Sequence, residues 1–275
     1  MHAPRFSATI VTFLPDAALF ERTLRSLATA IANAHAAGRI SEAVVHVVDN
    51  GPAQSRDVVE RAARAFPTHA ARMEFAHGQG NIGYGRANNL VLPMLSSDYH
   101  LIMNPDVELE PGAIAAAIAA LDADAHMGAV APSVRGPNGE RQYLCKRYPS
   151  LWVLFLRGLA PAFLRRRFAR ALDDYEMRDL EPERAYSPVP LASGCFLLVR
   201  TPLFSRLGGF DPRFFMYFED YDLSLRLGAE AKVAYVPQAR IVHHGGGASR
   251  KGLRHAAWFV RSAFRFFHLH GWKFA

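Results

Sequence analysis

Three carboxylates lie within four positions of the segment FFMYFEDYDLSLR, at Glu219, Asp220 and Asp222. Acids at the start of a helix cap it and offset its dipole, and Asp222 can pair with Arg226 one turn later. Those roles explain one or two of the three acids, but not the aromatic residues that surround them. Because an apolar wall raises the pKa of a carboxylate, the segment is a candidate for a general base.

Polar residues also follow three apolar segments in the first half of the chain. Thr12 ends the first, Asp49 ends the second, and the triplet NPD at 104–106 ends the fourth. Ligands of open α/β sheets bind at the carboxyl ends of the parallel strands. Each of these motifs alone is explained by a turn. Together they predict one polar site at the edge of a sheet.

Two adjacent histidines, His243 and His244, end a predicted strand in the segment RIVHHGGGAS. Neighbouring side chains on a strand point to opposite faces, so at most one of them can face the site. An imidazole and an aspartate from elsewhere can hold a divalent cation that also binds phosphate oxygens. The pattern leaves open which histidine is the ligand.

The segment HGQGNIGYGRANN, from His77 to Asn89, contains the G-x-G-x-x-G pattern of dinucleotide-binding loops. That fingerprint normally follows the first strand of a β-α-β unit, with an acid about 20 residues further on. Here the glycines follow the third predicted strand, and the acid after the next strand belongs to Asn-Pro-Asp. The position of the glycines therefore argues against a dinucleotide cofactor and favours a loop whose backbone approaches another ligand closely. An NAD(P)-dependent Rossmann-type enzyme is the alternative function.

Alternating strand and helix signals predict an α/β fold, in which a mostly parallel, Rossmann-like sheet has helices on both faces. Asp16 is placed to cap the first helix, which stops at Gly38. A hairpin turn is expected at Asn138-Gly139, and Gly228 is expected to stop a later helix. Strands are predicted at 6–13, 43–50, 72–77, 99–106, 127–134, 190–200, 232–237 and 240–244, and further helices at 55–66, 85–95 and 217–228.

The net charge of +7 calls for an anionic partner, such as nucleic acid, anionic lipid or a phosphorylated small molecule. Nucleic-acid binding is the weaker alternative, because no reader module is recognisable and clustered carboxylates repel phosphate unless a metal intervenes. Cys145 and Cys195 form neither a metal motif nor a disulfide framework, so a reduced cytoplasmic setting is expected. No stretch reaches the roughly 18 apolar residues that span a bilayer.

Two segments, 152–168 and 258–274, combine aromatic with basic residues, as interfacial helices do. A core helix with a solvated edge is the other interpretation. The residues alone leave these two interpretations open.

The motifs together resemble those of a family 2 glycosyltransferase, and more narrowly those of the bacterial rhamnosyltransferase-like members that build cell-surface polysaccharides. The segment FFMYFEDYDLSLR combined with NPD is the specific part of this resemblance, which extends from Phe6 to Ser249. The motifs are Val11-Thr12, VVDNG, NIGYGRANN, MNPDVEL, ASGCFLLVR, GGFDPRFFMYFEDYDLSLRL and VAYVPQARIVHHGGGAS.

The resemblance implies a GT-A fold over residues 1–250, with a nucleotide-binding half at 1–135 and a smaller acceptor-side half at 136–250. Residues 251–275 follow as a basic, aromatic helix. It also implies an inverting sugar transfer that needs Mg²⁺ or Mn²⁺. The donor is expected to be a dTDP- or UDP-sugar, with dTDP-rhamnose first, and the acceptor a lipid-linked or polysaccharide hydroxyl at the cytoplasmic face of the membrane. Because acceptors in this family are typically lipid-linked, the resemblance favours peripheral contact of the two basic, aromatic segments with the membrane surface.

The resemblance further assigns roles to individual residues. Asp49 accepts a hydrogen bond from the base, and NPD replaces the family's Asp-x-Asp motif, so that only one carboxylate remains there for the metal. Asp220 is the expected catalytic base, and Asp106 and His243 are the expected metal ligands. The nucleotide-sugar contacts are Thr12, Asp49, Asn81, Gly83, Arg86, Asn104 and Asp106, and the acceptor-side residues are Gly194, Glu219 and Asp222.

Overall fold

The computed structural model describes residues 3–64, 66–245 and 252–275. Its strands are β1 (Arg5–Thr12), β2 (Glu42–Asp49), β3 (Arg72–Ala76), β4 (Tyr99–Met103), β5 (Val107–Leu109), β6 (Met127–Arg135), β7 (Arg141–Gln142), β8 (Cys145–Lys146), β9 (Leu191–Ala192), β10 (Phe196–Arg200) and β11 (Lys232–His243). Its helices are α1 (Ala17–Ala36), α2 (Ala53–Ala63), α3 (Tyr84–Asn89), α4 (Ala113–Ala123), α5 (Leu151–Gly158), α6 (Ala162–Arg167), α7 (Ala169–Tyr175), α8 (Thr201–Arg206), α9 (Glu219–Glu230) and α10 (Gly252–His270).

Nine strands of the described residues form one sheet, in the order β3-β2-β1-β4-β10-β6-β11-β5, with β7 beside β6. The pairs among β1 to β4 are parallel, as is the pair of β6 and β11. Strand β10 is antiparallel to both β4 and β6, so these two again point the same way. The predicted α/β fold with a mostly parallel sheet is therefore confirmed.

Two hydrophobic cores lie on opposite faces of this sheet, because alternate residues of an apolar strand point to opposite sides. Leu101 of β4 belongs to the core that α1, α2 and α4 cover, whereas the next residue, Ile102, belongs to the core that α8 and α9 cover. Large side chains such as Leu27 of α1 and Phe204 of α8 are fully buried against the strands. Helices thus cover both faces, as predicted.

Most signals for the ends of elements are confirmed. Asp16 caps α1 by accepting the N–H of Leu19 (2.8 Å), and Gly38 follows the helix with a left-handed φ of +66°. The Asn138-Gly139 turn joins β6 to β7. The prediction for Gly228 is wrong, because α9 continues to Glu230; a glycine weakens a helix without ending it.

Several predicted elements have different bounds in the structure. The predicted strand 190–200 is broken by a turn at 193–195 into β9 and β10, and the strands 232–237 and 240–244 are one strand, β11, with a bulge. The predicted helix 85–95 ends at Asn89, and a short 3-10 turn follows around Pro93, which has no N–H for the helical ladder. Strand β5 was not predicted.

The C-terminal helix α10 packs against the segment before α9. Phe266 and Phe267 are fully buried there and form a third core with Phe214 and Phe218. Within the described ranges, no helix is both long enough and apolar enough to cross a membrane. The expected boundary at 250/251 and most of the glycine run after His244 fall at 246–251, outside the described residues.

Candidate active site

The predicted site residues collect at one edge of the sheet. Thr12 and Asp49 are paired in register at the carboxyl ends of β1 and β2. Asn104, which follows β4, donates its N–H to the carbonyl of Cys195 (2.9 Å), so the turn before β10 reaches the same edge. Strand β11 also ends there, at His243, because it runs parallel to β6.

The buried carboxylate of Asp49 organises the turn between β2 and α2. Thr12 Oγ1 and the N–H of Gly51 donate to its Oδ1, both at 3.0 Å, and Ser55 Oγ donates to its Oδ2 at 2.5 Å. Thr12 is itself fully buried. Both residues therefore shape the edge of the sheet, and the contact of Asp49 with a base stays a prediction.

The glycine loop, residues 78–83, is fastened across the carboxyl end of β2. Gln79 Nε2 donates to the carbonyl of Asp49 (2.9 Å), and Asn50 Nδ2 donates to the carbonyl of Gly83 (3.2 Å). The role of Gln79 was not found from the sequence, because a single glutamine in a loop has no pattern of its own. These bonds hold the loop beside Thr12.

The predicted loop contacts lie on the outer side of this loop and on α3. Asn81 and Arg86 are exposed; Asn81 Oδ1 accepts the N–H of Gly83 (3.2 Å), and Arg86 Nε donates to the carbonyl of Pro212 (2.6 Å). Gly83 has a φ of +93°, and a Cβ atom there would lie 2.3 Å from the carbonyl oxygen of Phe215. Only glycine fits, so the loop packs directly on the segment that precedes α9.

Asp106 and His243 face each other at the end of β11. Their nearest atoms, His243 Nε2 and Asp106 Oδ1, are 3.7 Å apart, and this buried Oδ1 has no hydrogen-bond partner among the described residues. Gln142 Nε2 donates to the carbonyl of His243 (2.9 Å), which turns its Oε1 toward the imidazole Nδ1 (2.8 Å). Nδ1 must then carry the proton, and Nε2 presents its lone pair to Asp106.

The other histidine of the pair points away, as the alternation along a strand requires. His244 Nε2 lies 2.6 Å from Glu108 Oε1, so His243 is the histidine that faces Asp106. A Cβ atom at Gly245 would lie 2.5 Å from Asp106 Oδ2 and 2.7 Å from His243 Nε2. Burial lowers the pKa of His243, against the opposing charge of Asp106. Glycine therefore keeps clear the space around a neutral imidazole and a carboxylate.

These groups fit a divalent cation in kind, because carboxylate oxygen and imidazole nitrogen are both ligands for such ions. In the part of the chain that the structure describes, no three His, Cys, Asp or Glu side chains converge as a metal cluster. Among the described residues, Asp106 and His243 are the two facing groups here of a kind that can bind such an ion.

Glu219 and Asp220 begin α9 after a strained approach. The two residues before them, Tyr217 and Phe218, both have left-handed backbones, with φ of +70° and +64°. This conformation costs about 1–2 kcal/mol for each residue that is not glycine. Packing of Phe218 in the third core holds it in place.

The two carboxylates have different surroundings. The N–H groups of Gly194 (3.1 Å) and Tyr221 (2.9 Å) donate to Asp220, whereas Glu219 Oε2 is buried and has no partner among the described residues. Burial raises the pKa of Asp220, and the two N–H donors oppose that effect. Burial and the charge of Asp220 raise the pKa of Glu219 to about 8. Asp220 therefore ionises first, and Glu219 keeps its proton at neutral pH.

The turn at Gly194 and Cys195 connects the segment of Asp106 with the pair Glu219 and Asp220. Burial raises the pKa of Cys195 to about 12, and the charges of Asp106 and Asp220 both add to this rise. The N–H of Gly194 donates to Asp220, and the carbonyl of Cys195 accepts the N–H of Asn104, two residues before Asp106, so this turn contacts both acidic segments. Tyr84, whose hydroxyl donates to the carbonyl of Gly194 (2.8 Å), closes the side next to the glycine loop.

Asp222 is tied into the fold. It is only 2% exposed, and its two oxygens pair with Arg226 Nε and His270 Nε2, both at 2.8 Å. The pair with His270 fastens the end of α10 to α9, and the pair with Arg226 lies within α9. The partnership with Arg226 was expected from the sequence, but that with His270 was not. A contact of Asp222 with an acceptor stays a prediction.

The family model of the glycosyltransferase-like family 2 matches residues 4–263. The chain belongs to this family. This match and the relatives of this chain give no support to an NAD(P)-dependent enzyme or to a nucleic-acid-binding protein.

Two characterised relatives are rhamnosyltransferases. The N-acetylglucosaminyl-diphospho-decaprenol L-rhamnosyltransferase of Mycobacterium tuberculosis is 36% identical over 181 residues, which are 60% of this chain and 56% of the relative. The rhamnosyltransferase WbbL of Escherichia coli is 27% identical over 213 residues, 72% of this chain and 74% of the relative. The match thus spans little more than half of the mycobacterial protein.

Solved structures share the fold at low sequence identity. GalNAc-T7 with UDP, GalNAc and Mn²⁺ has a TM-score of 0.61 and 15% identity, and covers 88% of this chain and 43% of that one. The mannosyltransferase PcManGT of Pyrobaculum calidifontis with GDP-Man and Mn²⁺ has a TM-score of 0.59 and 18% identity, and covers 96% and 65%. The family 2 member therefore has the GT-A fold.

Proposed function

We propose that this family 2 member transfers a sugar from a nucleoside-diphosphate donor to an acceptor hydroxyl, with inversion at the anomeric carbon. Rhamnose is the first candidate, carried on dTDP or UDP; the names of the two relatives support it. The observation that carries the proposal is that one turn at the carboxyl edge of the sheet, Gly194-Cys195, is hydrogen-bonded both to Asp220 and to Asn104, two residues before Asp106. One carboxylate can then serve the leaving group and the other the attacking alcohol.

The donor nucleoside would bind between the end of β1 and the glycine loop. Phe13 and Leu14, directly after Thr12, are 52% and 57% exposed and offer an apolar surface for a base. The exposed Asn81 and Arg86 offer polar contacts for ribose and phosphate, and Asn104, directly after β4, would supply a further contact to ribose. This arrangement supports a nucleotide donor on that side of Asp106.

Asp106 and His243 would hold Mg²⁺ or Mn²⁺. A bound cation offsets the negative charge that builds on the departing diphosphate. Three observations support this assignment: Asp106 Oδ1 has no hydrogen-bond partner in the described part of the chain, Gln142 fixes the lone pair of His243 Nε2, and Gly245 has no side chain to fill the space. The remaining ligands would be phosphate oxygens of the donor, because the described protein residues offer only two.

Asp220 would be the base that removes the proton from the acceptor hydroxyl as that oxygen attacks the anomeric carbon. Its two N–H donors keep it oriented and ionised, and burial keeps its pKa raised, which strengthens it as a base. Glu219, still protonated at neutral pH, would donate a hydrogen bond to the sugar or to the acceptor. A single displacement needs no nucleophile from the protein, and the buried, protonated Cys195 takes no part.

The acceptor would approach from the side of α9 and α10, where Gly194, Glu219 and Asp222 lie. The decaprenol in the name of the mycobacterial relative supports a lipid-linked acceptor. Such an acceptor would bring the protein to the cytoplasmic face of a membrane, as a peripheral protein.

A screen of nucleotide-sugars tests the proposed function. The protein is incubated with dTDP-rhamnose, UDP-sugars and GDP-sugars in Mg²⁺, in Mn²⁺ or in a chelator, and release of the nucleoside diphosphate is measured. We expect turnover of one donor class that the chelator abolishes, and loss of the metal-dependent part of donor binding in Asp106→Ala. Protection against melting by NAD(P)H, with no binding or turnover of any nucleotide-sugar, would overturn the proposal.

A further inference from the structure

Charge is strongly segregated along the chain. Residues 141–172 and 251–275 contain 13 of the 32 basic residues and none of the 25 acidic ones, so they carry +13 and the rest of the chain carries −6. The net charge of +7 therefore hides an acidic body with two basic segments. In the structure these segments are β7, β8, α5 and α6 on the one hand and α10 with its C-terminal tail on the other.

Large apolar side chains are exposed on the same two segments. Leu159 is 81% exposed, and Phe163 and Phe274 are about 70% exposed. A groove of about 330 Å³ runs along α10, and its lining contains three arginines and no acid. The exposed apolar side chains of the two segments are Phe155, Leu159, Phe163, Val260, Phe264, Leu269, Trp272 and Phe274.

The two segments are joined to each other. The carbonyls of Lys273 and Phe274 accept the N–H groups of Leu151 (2.9 Å) and Trp152 (3.1 Å), so the C-terminal tail caps the first turn of α5. Tyr148, just before α5, stacks on Phe266 of α10 (5.3 Å between ring centroids). We call the exposed side chains of α5, α6, α10 and the tail the docking face.

The other side of the docking face contacts the candidate active site. Ser262 Oγ donates to the carbonyl of Met216 (2.8 Å), and Phe266 packs on Phe218, which precedes Glu219 and Asp220. Helix α10 alone therefore separates this part of the docking face from the start of α9. A partner that binds the docking face lies close to the place where the acceptor would enter.

We propose that the docking face binds the surface of an anionic lipid bilayer. The inference rests on the proposed function in one respect: membrane binding would serve to bring a lipid-linked acceptor to Asp220. Aromatic and leucine side chains that stand among arginines match the apolar and anionic layers of a membrane interface. Nucleic acid would use the arginines and leave Leu159, Phe163 and Phe274 in water, and a second copy would bring one basic face against another.

The binding energy is divided between charge and burial. Each basic residue near an anionic surface strengthens binding about fivefold, and its effect falls with salt. Arg165, Arg166 and Arg167 form no ion pair with the described residues, so their charges are available to lipid. Their replacement should weaken binding about 100-fold.

Vesicle sedimentation tests the proposal. Wild-type protein is mixed with vesicles of phosphatidylcholine alone, or with vesicles in which about 30% of the lipid is anionic phosphatidylglycerol. We expect binding only to the anionic vesicles, about 100-fold weaker binding of R165Q/R166Q/R167Q, and a comparable loss for F163S/F274S. The matched control removes three exposed arginines from another helix, as R56Q/R61Q/R64Q in and after α2.

Several results would overturn the inference. These are equal weakening in the α2 control, undiminished binding of F163S/F274S, tighter binding to a DNA duplex than to anionic vesicles, and a concentration-dependent dimer that the docking-face variants dissolve. Urea unfolding of each variant checks that the fold is kept. Donor binding, measured without vesicles, separates the two proposals: vesicle binding without any nucleotide binding would refute the proposed function and leave the docking face standing.

Discussion

The substitution Glu219→Gln probes the electrostatics of the candidate active site directly. Glu219 is buried, one of its oxygens has no hydrogen-bond partner among the described residues, and burial and the charge of Asp220 raise its pKa from 4.5 to about 8. Glutamine has the same shape and cannot ionise, so the variant removes only the titration. Stability measured at two pH values therefore reports the state of this carboxyl group.

The magnitude follows from linkage. Below pH 4.5 Glu219 is protonated in both the folded and unfolded chains, so the pKa difference has no effect there. As the pH rises, the unfolded chain ionises first, and the folded protein loses about 1.4 kcal/mol of stability for each pH unit. The loss ends near the folded pKa of about 8, and totals roughly 5 kcal/mol.

Urea unfolding at pH 5 and at pH 8.5 measures the effect. We expect wild type and Glu219→Gln to differ little at pH 5, and the variant to be more stable by several kcal/mol at pH 8.5. The control is Glu42→Gln, at an exposed position that starts β2, which should follow the wild type at both pH values. Parallel pH curves for wild type and Glu219→Gln would refute the inference that Glu219 is protonated in the folded protein.

Three further substitutions test neighbouring parts of the site. Gly83→Ala should cost about 2 kcal/mol or more in urea unfolding, because φ is +93° and the new Cβ would meet the carbonyl of Phe215; a neutral effect contradicts the packing of the loop. His270→Ala should cost about 1–3 kcal/mol, since the buried Asp222 loses one partner; limited proteolysis should then cut α10 faster, and an unchanged digestion pattern contradicts the role of this pair. Cys195→Ala should keep at least half of the donor turnover, and a loss of about tenfold or more contradicts its placement outside the chemistry.

The strand ends of the site could be predicted because they depend on local patterns. Thr12, Asp49 and Asn104 follow apolar runs, and parallel strands bring such ends to one edge whatever their order in the sheet. The position of β10 could not be predicted in this way. FLLVR is an apolar run that ends at Arg200, and its sequence contains no signal that it runs antiparallel between β4 and β6.

The supporting contacts depend on tertiary packing and leave no pattern in the sequence. Gln142 orients His243 from 101 residues away, and His270 pairs with Asp222 from 48 residues away. Phe218 has a left-handed backbone, which a phenylalanine disfavours, because its packing in the third core holds it in that conformation. The sequence thus predicts the candidate reacting groups, and the structure adds the contacts that orient them.

The central claim is that Asp106 and Asp220 serve one reaction in different roles, which the variant Asp220→Asn tests most directly. Donor binding by calorimetry and donor turnover are measured on the same preparation, with Mn²⁺ present. We expect the donor affinity to stay within about threefold of wild type, while turnover falls by about 10²–10⁴-fold, the usual contribution of a general base. Turnover at the wild-type rate in Asp220→Asn would contradict the account.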